Sequence, residues 1–227
     1  MGDPDDGSWN DDPGAGLMDT LTKSPIERFP VYFNFSTDMI AGETILNISE
    51  FTSINQATGE SSFDDRAYDA GPPEVLEIVK VIDSFEILSP DVLLVLKDGI
   101  EDEEHHIQCV VLTSAGNVFQ RDLLLRIQSE VTDSFVKQPE DAFAFDVDFT
   151  RRLESGDTVA SAVVAAVKES DGSDAAALVP GSVVSTPLVA VAVIDGVDGE
   201  TYRLGIRGTT TTGYVYEKFV RMNVQEY

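Results

Sequence analysis

Val31-Tyr32-Phe33-Asn34-Phe35-Ser36 and Phe145-Asp146-Val147-Asp148-Phe149-Thr150 lie 114 residues apart and read alike. Both alternate apolar and polar side chains, the pattern of a strand with one buried and one wet face. Seven residues after each second Phe comes a Gly, an acid, a Thr and a β-branched residue: Gly42-Glu43-Thr44-Ile45 and Gly156-Asp157-Thr158-Val159. Further along, the match continues at an offset of 97. Leu94-Val95-Leu96-Lys97-Asp98-Gly99 pairs with Val191-Ala192-Val193-Ile194-Asp195-Gly196, and Thr113-Ser114-Ala115-Gly116-Asn117-Val118 with Thr210-Thr211-Thr212-Gly213-Tyr214-Val215. One β module has therefore been copied. The 17-residue difference in offset is an insertion in the first copy, placed at 57–73, a polar stretch that reads as a long surface loop.

Working outward, Asp98-Gly99 and Asp195-Gly196 read as hairpin turns between alternating runs, and Gly116 and Gly213 mark a second turn. Each copy reads as strand, turn, strand, a variable middle and a three-strand meander. About seven short strands per copy predict an all-β protein of two tandem immunoglobulin-like β-sandwich domains, without the Cys…Trp…Cys hallmark of antibody domains. The stretch 160–168 has the composition of either helix or strand. Its counterpart from Leu46 to Phe51 alternates, so a strand is expected in both copies. The domains are placed at 29–129 and 143–227, joined by a polar linker at 130–142. An acidic, Gly/Pro/Asp-rich arm at 1–28 cannot bury enough apolar surface to order itself. If it is held, the partner-binding anchors are Trp9, Leu17 and Met18, against a neighbouring subunit or against its own domain.

The chain has 227 residues and a net charge of −26, from 41 acidic and 15 basic residues. Such a surface repels nucleic acid and anionic membranes, so neither is an expected partner. A halophilic origin gives a similar acid excess. The acidic N-terminus lacks the apolar stretch of a signal peptide, and no run approaches membrane-spanning length, so synthesis in a reducing cytoplasm is expected.

Chemistry-bearing residues are few. The single cysteine, Cys109, sits in the apolar run 107–112 and reads as a core thiol. His105 and His106 are neighbours in a strand and point to opposite faces, so they cannot share a metal. By the repeat, His105 takes the slot of Tyr202. No phosphate loop, nucleophile elbow or zinc-helix motif occurs, and the expectation is a non-enzyme without cofactors. The residual metal candidate is calcium at Asp195, Asp198 and Glu200, with the cluster Asp98, Glu101, Asp102, Glu103 and Glu104 as its counterpart. A solvated acidic turn that protects sheet edges is the competing reading.

The repeated pattern, apolar-x-Val/Phe-x-Phe-Ser/Thr followed by Gly-acid-Thr and later Val-x-Val-x-Asp-Gly, resembles the immunoglobulin-like structural domains of tailed bacteriophages encoded among head and neck genes. Residues 143–227 match it better, through Phe149, Leu153, Gly156-Asp157-Thr158 and Gly199-Glu200-Thr201-Tyr202-Arg203-Leu204. The clearest departure is Phe149, where such domains often carry Trp. The resemblance implies a virion structural protein: a capsid decoration (cement) protein assembled through its N-terminal arm and sandwich edges. The alternative within that class is a neck, tail-adaptor or tail structural protein. Implied partners are other copies of the chain and major capsid or neck proteins. A reading of another class, a carbohydrate- or cell-surface-binding adhesion module, would use Tyr202, Tyr214, Tyr216 and Tyr227 as exposed aromatics.

Overall fold

The computed structural model describes residues 19–59 and 81–226. They form two compact units that divide between Ser129 and Glu130. In the first unit the strands are β1 (Asp19–Lys23), β2 (Phe29–Asn34), β3 (Ile45–Asn55), β4 (Ile82–Leu88), β5 (Asp91–Leu96), β6 (Glu104–Thr113) and β7 (Val118–Ile127). The second unit holds β8 (Val131–Lys137), β9 (Phe143–Asp148), β10 (Val159–Lys168), β11 (Gly181–Ser185), β12 (Leu188–Val193), β13 (Thr201–Thr210) and β14 (Val215–Val224). The ambiguous stretch 160–168 is strand.

Both units have the same wiring. A four-stranded sheet, β1-β7-β6-β3 or β8-β14-β13-β10, partners a three-stranded one, β2-β5-β4 or β11-β12-β9. In each, the first strand runs parallel to the last and the other pairings are antiparallel. Second, fifth and fourth strands in one sheet, with third, sixth and seventh in the other, is the arrangement of an immunoglobulin sandwich. The fold is thus two tandem immunoglobulin-like β-sandwiches.

The strands form where the alternation places them. Along β6 every second residue is buried, including Ile107, Cys109 and Val111, while their neighbours are half-exposed. Phe35 and Phe149, 114 residues apart, are both wholly buried just beyond β2 and β9. A cation covers each ring: the Arg121 guanidinium lies 5.2 Å from the Phe35 centroid, and Lys218 Nζ 6.0 Å from that of Phe149. Filling such a slot takes one large ring, and Phe serves in both copies. A Ser or Thr hydroxyl next to a proline ties the two sheets. Ser89 Oγ accepts from Ile45 N at 3.0 Å, and Thr186 Oγ1 from Val159 N at the same distance.

The structure corrects three expectations. The stretch 1–28 is not all arm: β1 pairs with β7 from Asp19↔Leu123 to Lys23↔Ile127 and belongs to the first sandwich. The stretch 130–142 is not a linker, because β8 pairs with β14 and supplies the same first strand to the second sandwich. Both were hidden because short edge strands bury few residues and carry little alternation. Finally, Asp98-Gly99 and Asp195-Gly196 are not hairpins. β5 pairs with β2 and β4, and β12 with β9 and β11, so these turns cross from one sheet to the other. The expected insertion at 57–73 falls in the connection from β3 to β4, and its residues from 60 onward lie outside the described residues.

Candidate interaction surfaces

The crossover turns are built around a buried lysine. Lys23 is 1 % and Lys137 is 2 % exposed. Each ends its unit's first strand and turns its ammonium inward. Lys23 Nζ donates to the carbonyls of Ser24 at 2.7 Å and Asp98 at 2.5 Å. Lys137 Nζ donates to those of Gln138 at 2.8 Å, Pro139 at 3.4 Å, and Asp195. An ammonium has three donors and no acceptor, so a cluster of carbonyls is its natural socket. Burial lowers the Lys137 pKa, opposed by Asp141 and Asp195. Four residues on, an acid closes the loop: Glu27 accepts from Ser24 N at 2.8 Å and Asp141 from Gln138 N at 2.9 Å. Sequence reasoning missed this pair although its signal is present. Lys23-Ser24-Pro25-Ile26-Glu27 and Lys137-Gln138-Pro139-Glu140-Asp141 are Lys-x-Pro-x-acid at the repeat offset of 114.

The acidic turns act as braces. Asp198 accepts from Glu226 N at 2.7 Å, as Glu101 does from Ser129 N at 2.7 Å. Glu200 pairs with Lys168 at 2.8 Å, while Asp195 presents its carbonyl to Lys137. The calcium candidates Asp195, Asp198 and Glu200 are thus not brought together around one point. Among the described residues no group of three or more His, Cys, Asp or Glu side chains is arranged to hold a metal ion. The acid of each Gly-acid-Thr motif caps the turn between the last two strands. Glu43 accepts from Thr113 Oγ1 and, at 2.9 Å, from Asn117 Nδ2. Asp157 accepts from the hydroxyls of Thr211 at 2.7 Å and Thr212 at 2.5 Å. Burial pushes the Asp157 carboxyl up, but hydrogen bonds from Thr211, Thr212, Thr210 and the Thr158 N–H outweigh it and hold the pKa well below the usual aspartate range.

His105 is buried beside Glu103 at 3.2 Å, and His106 is half-exposed and pairs with Asp122 at 2.9 Å. Burial pushes the His105 pKa down. Cys109 is wholly buried, and burial pushes its thiol up to about 12, so it carries no thiolate chemistry. Of the tyrosines that an adhesion site would use, Tyr202 and Tyr216 are core residues, 5 % and 3 % exposed. Tyr214 is half-buried, and Tyr227 lies outside the described residues, as do Trp9, Leu17 and Met18.

What remains is surface, and the two units differ there. The outer face of the β8-β14-β13-β10 sheet carries Arg203, Arg207 and Arg221, with Glu217 opposite Arg207 on β14. Arg203 lies 5.3 Å over the Phe219 ring, and Gly205, directly opposite Phe219, makes room for that ring, whose Cε1 would stand 3.1 Å from a Cβ there. β10 edges this sheet with no charge from Val159 to Val167, and Val163 is 63 % exposed. At the positions of Arg203, Phe219 and Arg221, 97 residues earlier, the first unit has His106, Asp122 and Leu124.

Residues 137–223 match a family model described as podophage GP4 fiber-tail adaptor protein gp77. The match begins at the buried Lys137 and ends in β14, so it covers the second sandwich without most of β8. It supports a phage structural protein. No curated protein matches the chain. Among solved structures, a chimeric titin Z1Z2 functionalized with a decorin peptide is 6 % identical, covering 92 % of this chain and 94 % of that one at a TM-score of 0.32. The N-terminal Ig1-2 module of the Drosophila receptor protein tyrosine phosphatase DLAR is 9 % identical, covering 92 % and 95 % at a TM-score of 0.28. Likenesses this loose carry no argument, and the fold assignment rests on strand order.

Proposed function

We propose that this chain is a tail-associated structural protein of a tailed phage, an adaptor between tail and fibre. The observation that carries the reading is the family match over residues 137–223. It favours the adaptor alternative over capsid decoration, which the sequence alone put first. The architecture agrees with the role. Two sandwiches offer broad faces and open edges, and the acids of the motifs brace turns. An adhesion site is less favoured, because two of its four candidate tyrosines are spent on the core. Its partners on this reading are further copies of the chain and tail or neck proteins of the virion.

Location on the particle tests it. Gold-labelled antibodies raised against residues 130–227 should mark the junction of tail and fibres on intact virions. Label spread over the head shell would return the reading to capsid decoration, and unlabelled virions would remove it from the particle.

A further inference from the structure

We propose that the outer face of the β8-β14-β13-β10 sheet is the receptor for residues 1–18 of a neighbouring copy. This rests on the reading that the protein assembles with copies of itself, and it names the surface that does so.

The argument is one of charge and shape. The chain carries −26, yet this face holds three arginines, Arg203, Arg207 and Arg221, against Glu217, with Glu169 at its border. Residues 1–18 hold five aspartates, Asp3, Asp5, Asp6, Asp11 and Asp12, and no base. An acidic segment is attracted to this face and repelled by most of the remaining surface. The ion pair of Arg221 with Glu169, 3.0 Å long, with the arginine exposed and the glutamate partly so, is worth little and is readily exchanged for a new carboxylate. Apolar complementarity runs alongside. The Phe219 ring lies against Gly205 under the Arg203 guanidinium, and the uncharged β10, with the exposed Val163 across from Arg207, flanks the arginines, so Trp9, the chain's single tryptophan, can stack on a guanidinium with its edge on apolar surface. The first unit cannot compete for the segment. Its counterpart face replaces Arg203 by His106, Arg221 by Leu124 and Phe219 by Asp122, which would repel aspartates. One segment and one receptor per chain make a head-to-tail contact, so each copy both gives and receives.

Sedimentation velocity on the full chain, across a concentration series, tests this. The wild type should self-associate, with the apparent Kd rising at least tenfold as NaCl goes from about 0.05 to 0.5 M, because exposed charges are screened. The variant Arg203→Glu/Arg207→Glu/Arg221→Glu should weaken association at least tenfold. The single change Val163→Lys should weaken it without touching an arginine. Both should keep the wild-type melting temperature within a few degrees, which separates lost binding from lost folding. Reversing the five aspartates to lysine in the triple-glutamate background should restore association. A monomer at every concentration overturns the proposal, as does triple-glutamate protein that associates like wild type or a double reversal that fails to restore. None of these results moves the gold label on the virion, so failure here is distinguishable from failure of the adaptor reading.

Discussion

Asp157 and Lys137 show how single polar side chains hold the second sandwich. Asp157 is 9 % exposed and satisfied by threonine hydroxyls and backbone N–H groups. Its folded pKa lies below the ordinary value of 3.8, so the folded state resists protonation more than the unfolded chain does. The stability this confers is present above pH 3.8 and is lost as pH falls towards the lower folded pKa. Asp157→Asn should therefore lower the melting temperature at pH 7 and flatten its decline between about pH 4 and 2, measured by circular dichroism on both proteins. A parallel decline would show that other carboxylates carry the acid sensitivity. Lys137→Met keeps the apolar stem but leaves buried carbonyls unpaired, at a cost of about 1–3 kcal/mol in urea denaturation. The lysine was legible as a repeated Lys-x-Pro-x-acid motif. That its ammonium points inward was not, since an isolated lysine reads as solvated.

The crossover turns are the elements on which the sandwich depends. Gly196 has φ +129°, and a Cβ there would sit 2.7 Å from Val224 Cγ2. Its counterpart Gly99 has φ +132° and would meet Ile127 at 2.9 Å. The chain must pass close to the last strand as it changes sheets, and only glycine permits that approach. Gly213, in the turn between β13 and β14, has φ +85° and open space where a Cβ would stand. Gly196→Ala should cost about 2–4 kcal/mol, from backbone strain and overlap together, and Gly213→Ala about 1–2 kcal/mol from the backbone alone. Chemical denaturation of the two variants separates the two contributions. Sequence placed both turns correctly but took the Asp-Gly turns for hairpins. Turn chemistry reports local backbone conformation, and which strands pair across it is a long-range matter.

At the scale of the molecule, the boundary between units determines what folds. All seven strands of the second sandwich, with Lys137, lie between Glu130 and Gln225. A fragment of residues 130–227 should melt as one cooperative transition in calorimetry. A fragment of 143–227, the domain as sequence alone bounded it, lacks β8 and its lysine and uncovers the edge of β14. It should be destabilised by about 3 kcal/mol or more, or aggregate, because an unpaired strand edge recruits other chains. Equal melting of the two fragments would show that β8 is dispensable.

The sequence by itself determined that the chain is all-β, that its two halves carry one pattern of strands and turns, which faces of β2, β6 and β9 are buried, and where the turns fall. These are local consequences of alternation and of Gly, Asp and Pro chemistry, and the repeat tests each reading twice. Only the tertiary structure decided that β1 and β8 belong to the sandwiches, that β5 and β12 leave the sheet of their successors, and that the arginines of β13 and β14 share one face with Phe219. Those facts depend on pairing between strands distant in the chain, set by total burial and hydrogen-bond satisfaction, which no single segment encodes.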